Sequence, residues 1–136
     1  MRRRKLLIAD DSEMNRAILA NVLDQEFEVI EATNGQEVII ALQSYGTQIS
    51  ALLLDIVMPE MDGFEVLEEM NRRHWIEDIP TIMISAETSN TYIDRAFELG
   101  ASDYISRPFV PGIVRRRIIN TILLHTKKYQ LMDVVA

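Results

Sequence analysis

Two periods of apolar residues run through the chain. Ala51–Leu54 is an unbroken apolar run that ends in Asp55. Lys5–Ala9 is a second short run, ending in Asp10-Asp11, and Ile79–Ser85 a third, entered by Pro80 where a strand tolerates proline. Runs without polar alternation predict strands covered on both faces, as in a parallel sheet. Phe27–Ala32 alternates instead and predicts a strand that is less fully covered. Asp103–Ser106 predicts a short fifth strand.

Helical spacing fills the intervals. Ser12 is a suitable N-cap, and Met14, Ile18 and Val22 mark a helix face up to about Asp24. After the Thr33-Asn34-Gly35 turn, Gln36–Ser44 is helical, with Val38, Ile39, Ala41 and Leu42 inward, and Tyr45–Ser50 reads as loop. Met58-Pro59 forbids helix directly after the third strand, Asp62-Gly63 turns the chain, and Phe64, Leu67 and Met70 recur at helical spacing to about Arg73. Ser89 caps a helix through Leu99 with Ile93, Ala96 and Phe97 inward and Tyr92 beside them, and Gly100 stands where a left-handed C-cap belongs. A last helix starts near Pro111 and runs past Lys128. Strands alternating with helices through short loops imply right-handed crossovers and a three-layer α/β/α domain.

Length and charge narrow the class. At 136 residues one core suffices, and the absence of cysteine removes disulfides and thiolate metal sites, in keeping with a reducing compartment. Leu6–Ala9 is too short for the apolar part of a leader, and no stretch approaches the roughly 20 apolar residues of a spanning helix. The expectation is a cytoplasmic protein that does not engage membranes. Residues 6–106 hold four basic against twenty acidic groups, a balance of −16, so this body repels nucleic acid and favours a bound cation. The Arg115-Arg116-Arg117 triplet has no helix-turn-helix partner and reads as a solvated or ion-paired helix face. His74 and Trp75 read as surface or packing residues of a connector.

Chemistry concentrates where strands end. Asp10 and Asp11 follow the first strand and Asp55 the third, which is where open α/β sheets place their ligand sites. Neighbouring strands would crowd these carboxylates, and like charges so close call for a cation. Oxygen donors without His or Cys point to Mg²⁺. Ser85 ends the fourth strand with a hydroxyl and Arg107 follows the fifth with a fixed charge. Carboxylate nucleophile, divalent ion, hydroxyl and cation are the parts an aspartyl-phosphate needs.

With LIADD at 7–11, LLLDIVMPEMDG at 52–63, ISA at 84–86 and GASDYISRPF at 100–109, the chain resembles a response-regulator receiver domain of two-component signalling. The resemblance implies a five-stranded parallel sheet in the flavodoxin-like order 2-1-3-4-5. It also implies that Asp55 accepts a phosphoryl group from a phosphohistidine of a sensor kinase or relay protein. Mg²⁺ would be held directly by Asp11, Asp55 and the Val57 main-chain carbonyl, and by Asp10 through water. Ser85 would hydrogen-bond the phosphoryl group, Tyr104 would be the aromatic switch, and a cis peptide bond often precedes the position of Pro108. Asp103 and Arg117 match positions that pair across dimers in some receivers. The domain so implied covers residues 1–126, with 127–136 a helical extension toward an output domain beyond this chain.

Such a domain is a regulatory phosphoacceptor rather than an enzyme, its chemistry limited to its own phosphorylation and dephosphorylation. One residue departs from the pattern: the family has Lys where this chain has Arg107, and the longer planar guanidinium is not equivalent at a tight site. This leaves open an atypical receiver that acts as a constitutive interaction module. Two other classes fit less well. An aspartyl-phosphate phosphatase wants a second carboxylate two residues after the nucleophile, where this chain has Val57. A flavodoxin-type cofactor binder needs a phosphate-cradling loop after the first strand, where Asp10-Asp11 would repel phosphate.

Overall fold

A computed structural model describes the backbone of residues 4–135 and the side chains of residues 4–127. Five parallel strands, β1 (Arg4–Ala9), β2 (Phe27–Ala32), β3 (Ile49–Leu54), β4 (Thr81–Ser85) and β5 (Asp103–Ser106), form one sheet in the order β2-β1-β3-β4-β5. Helices α1 (Glu13–Leu23), α2 (Gly35–Tyr45), α3 (Gly63–Arg72), α4 (Asn90–Glu98) and α5 (Pro111–Val135) occupy the crossovers and the end of the chain. The expected three-layer α/β/α fold and its strand order are both present.

Strand alternation divides the core between the two faces of the sheet. Leu7, Ala9, Leu52, Leu54 and Met83 pack under α2, α3 and α4 with Val38, Leu42, Leu67 and Ala96. Leu6, Ile8, Leu53, Ile82 and Ile84 pack under α1 and α5 with Leu19, Leu23, Val114 and Ile118. The alternating segment 27–32 lies at the sheet edge as β2, where one side lacks a neighbouring strand.

Local chemistry starts the helices. Ser12, Asn34, Asp62 and Ser89 each accept a backbone N–H of the first turn, and Asp62 with Glu65 closes a capping box. Gly100 has the left-handed φ of 101° expected after α4.

Four details differ from the sequence-based expectation, one of them the start of β4 at Thr81 rather than at Ile79. The inner face of α1 is Leu19 and Leu23, whereas Met14 and Ile18 are exposed. On α4 only Ala96 is fully buried, and Phe97 and Tyr92 are partly exposed. Strand β3 begins two residues earlier than expected, at Ile49, after a single 3-10 turn at Gly46–Gln48.

Helix α5 continues without interruption across position 126, and the apolar side chains at Leu131, Met132, Val134 and Val135 lie outside the described residues. Among the described residues no helix is long and apolar enough to cross a membrane.

Candidate functional site

The carboxyl ends of β1 and β3 lie side by side at the centre of the sheet. The Asp10 N–H bonds the Ala32 carbonyl and the Asp55 N–H bonds the Ala9 carbonyl, so both ladders run one residue past the strands into the aspartates. Asp10, Asp11 and Asp55 each present an oxygen within 4.8 Å of the others. Asp10 and Asp55 are buried, at 2 % and 4 % exposure, while Asp11 faces solvent. The three predicted acidic residues are therefore gathered in one place, two sealed and one open.

Each buried carboxylate is held by its own partners. Asp10 Oδ1 accepts the Ser12 N–H at 2.8 Å, and its carbonyl accepts a 2.7 Å bond from Arg16, whose Nε pairs with Glu31 at 3.0 Å. The Asp55 carboxylate accepts the N–H groups of Val57 and Ile56. Burial nevertheless pushes the Asp55 carboxyl up to about 6, with the Arg107 charge opposing the shift and the Asp10 charge adding to it.

Glycine makes the loop after Asp55 compact. A Cβ on Gly63 would come within 2.5 Å of the Asp55 carbonyl oxygen and 2.8 Å of the Ile56 Cα. The Gly63 N–H also donates to the Ile56 carbonyl at 2.8 Å. The Asp-Gly turn thus presses the start of α3 directly against the backbone that carries Asp55. The Val57 side chain is exposed in this loop.

Arg107 reaches in from the end of β5, whose Arg107–Pro108 peptide is cis, as the resemblance implied. One terminal nitrogen pairs with Asp10 Oδ2 and the other lies 3.3 Å from Asp55 Oδ2. Its Nε is buried with no hydrogen-bond partner. The residue that departs from the family pattern is thus bound to two of the three acidic residues at once.

A second network joins Ser85 to Tyr104. Ser85 is fully buried, and its Oγ accepts the Glu87 N–H at 3.1 Å. The Tyr104 hydroxyl donates to the Glu87 carbonyl at 2.6 Å. Burial raises the Tyr104 phenol, and a hydrogen bond with the Ser85 hydroxyl counters it. The Arg107 N–H bonds the Ser85 carbonyl at 2.9 Å and ties this network to the acidic cluster. The ring of Tyr104 is turned inward, at 8 % exposure.

Arg117 sits 3.7 Å from Asp103 and donates to the Tyr104 carbonyl at 3.3 Å, so the two residues matched to a dimer face pair within one chain. Sequence reasoning passed over Arg16 and Glu87. A lone arginine early in a helix carries no motif, and Glu87 acts only through its backbone. An apolar groove of about 600 Å³, walled by Ile18, Ala86, Arg107 and Phe109, opens beside the cluster and accounts for the exposure of Ile18.

Comparison with known proteins bears on the family and the fold. Residues 6–119 match the model of the response regulator receiver domain. Response regulator RR06 of Streptococcus pneumoniae serotype 2 is 40% identical over 114 residues, covering 83% of this chain and 50% of that protein. The chain spans about half the length of the curated relatives it matches. A CheY-like receiver domain from Methanospirillum hungatei superposes with a TM-score of 0.85 at 23% identity, over 93% of this chain and 99% of that one, a likeness of fold. CheY in the CheX-CheY-BeF3-Mg complex of Borrelia burgdorferi is 29% identical with a TM-score of 0.77, over 85% of this chain and 87% of that one.

Proposed function

The chain belongs to the response regulator receiver domain family, and on that premise we propose that it is a phosphorylation switch whose acceptor is Asp55. The observation that carries the proposal is the meeting of Asp10, Asp11 and Asp55 within 4.8 Å, beside Arg107. The donor set, all oxygen and two-thirds buried, suits a hard divalent ion, and a solved relative at 29% identity is named as a complex with BeF3 and Mg. Asp11, Asp55 and the Val57 carbonyl would hold Mg²⁺ directly, and Asp10 through water. Bound there, the ion would supply positive charge against the carboxylates and the phosphoryl group.

The chain's own residues do the rest. An Asp55 oxygen forms a bond to phosphorus as the phosphorus–nitrogen bond of a donor phosphohistidine breaks. With its carboxyl at about 6, Asp55 is mostly ionised at neutral pH and competent as a nucleophile. The N–H groups of Ile56 and Val57 orient it. The acquired group carries about −1.5 to −2 charges and three acceptors, which Ser85 and Arg107 would bind. The Ser85 hydroxyl is now joined to Glu87 and Tyr104, so drawing it toward the phosphoryl group pulls on the loop after β4 and on the tyrosine. The output face is then biased between two populations.

The donor would be a sensor histidine kinase or a relay protein, and the exposed Ile18 in the groove wall, with Met14 exposed on the same helix, would meet it. The output would lie in a further domain C-terminal to residue 126, consistent with relatives about twice as long. A dimer through the face bearing Asp103 and Arg117 would change sedimentation when a phosphoryl mimic is added. A monomer throughout would remove that part.

The test of the acceptor is intact-protein mass after treatment with a small acyl phosphate. One phosphoryl group is expected on the wild type with Mg²⁺, none with chelator and none on Asp55→Ala. A folded wild type that gains nothing with Mg²⁺ would make the chain a receiver that does not take phosphate.

A further inference from the structure

We infer that Arg107 is an internal competitor for the divalent cation, and so sets how much metal the site holds before any phosphoryl group arrives. The inference rests on the metal reading above and concerns the one position where this chain departs from the family pattern. Asp10 Oδ1 is engaged by the Ser12 N–H, which leaves Oδ2 as its free oxygen, and Arg107 occupies it. The same guanidinium lies 3.3 Å from Asp55 Oδ2. A divalent ion drawing on Asp55 and, through water, on Asp10 needs the oxygens that the arginine now holds.

Shape decides the outcome more than charge. An ammonium is a compact point charge, whereas a guanidinium is a planar fork whose two terminal nitrogens serve two carboxylates together. Asp10 and Asp55 are nearly sealed from water, and their attraction to the fork is little screened by solvent. The fork is also imperfectly housed, because its buried Nε has no acceptor. Leaving the cluster therefore frees a polar group that is unsatisfied inside it. Metal entry alone would then move Arg107, which is also a wall of the groove beside Ile18 and Phe109.

The test measures Mg²⁺ binding by calorimetry on wild type, Arg107→Lys and Arg107→Gln, with the arginine side-chain NMR signals followed in the wild type. Arg107→Lys keeps the charge and loses the fork, so it separates bridging from simple repulsion. Mg²⁺ affinity should rise about tenfold or more in Arg107→Lys, the scale of one charge-assisted hydrogen bond, and further in Arg107→Gln. The terminal-nitrogen signals that vanish in Arg107→Lys should shift when the wild type is saturated with Mg²⁺. Equal affinity in wild type and Arg107→Lys, or arginine signals unmoved at saturation, would overturn the competition while leaving the metal site standing. No Mg²⁺ binding to any of the three would overturn the metal reading, and this inference with it.

Discussion

Leu54 and Asp55 are neighbours in the chain and almost equally buried, at 0 % and 4 % exposure, yet burial works in opposite directions on them. Leu54 gains by leaving water, at about 25 cal/mol per Å² of apolar surface. Asp55 loses the hydration of a charge and recovers it only in part from Arg107 and two backbone N–H groups. The interior of the sheet supplies the stability that its carboxyl rim consumes. The rim holds a costly arrangement in place because a packed strand delivers it there.

The largest effect expected is on the core side of this comparison. Leu54→Ala leaves a cavity between the sheet and the helices over its face, and should destabilise by about 3–5 kcal/mol in urea unfolding. A loss below about 1 kcal/mol would mean that the strand is less tightly enclosed than its burial indicates.

On the rim the sign reverses. The folded carboxyl of Asp55 lies at about 6, against an ordinary value near 3.9 in the unfolded chain. The folded state therefore binds a proton more readily than the unfolded one between these values. Stability of the metal-free protein attributable to this group rises as pH falls from about 7 toward 4, and is lowest above the folded value. Asp55→Asn removes the cost and should stabilise the chelated protein at pH 7 by about 3 kcal/mol, a rise of several degrees in Tm. The gain should shrink toward pH 4. An Asp55→Asn protein less stable than wild type at neutral pH would show that the pairing with Arg107 outweighs desolvation.

Gly63 joins the two regions, since α3 leans on the loop after Asp55 there. Gly63→Ala sets a Cβ against backbone atoms that cannot swing aside, and about 2 kcal/mol of stability should be lost together with some Mg²⁺ affinity. Unchanged unfolding and metal titration would mean that the loop gives way freely. The smallest effect is at the cap: Asp62→Ala removes one side of the capping box and should cost about 1 kcal/mol, with helix content nearly preserved by circular dichroism.

What was legible in the sequence follows the same division. Apolar runs announced β1, β3 and β4, and the aspartates that end them announced the cluster, because a strand hands its next residue to a known edge of the sheet. Faces of short helices were harder to read. Met14 and Ile18 share a helical period with Val22, but Leu19 and Leu23 are the pair that α1 buries, and Met14 and Ile18 are left exposed near the rim. Phe97 has the hydrophobicity of a core residue and stays outside, because Ala96 alone fits where α4 is fully buried.

Arg107 was recognisable as a cation near the site, but its bridging of Asp10 and Asp55 depends on side-chain reach that no spacing encodes. The Ser85–Glu87–Tyr104 network was half visible: the hydroxyl and the ring could be named, while the backbone that links them could not.

The carboxylate at position 55, and neither of its acidic neighbours, is expected to take the phosphoryl group. Borohydride reduction of the acyl-phosphate-treated protein, followed by peptide sequencing, reads the acceptor directly, since a reduced aspartyl-phosphate becomes homoserine. Homoserine at position 55, dependent on Mg²⁺, is the predicted result. Homoserine at position 10 or 11, or at none of the three in a protein that remains folded, would contradict it.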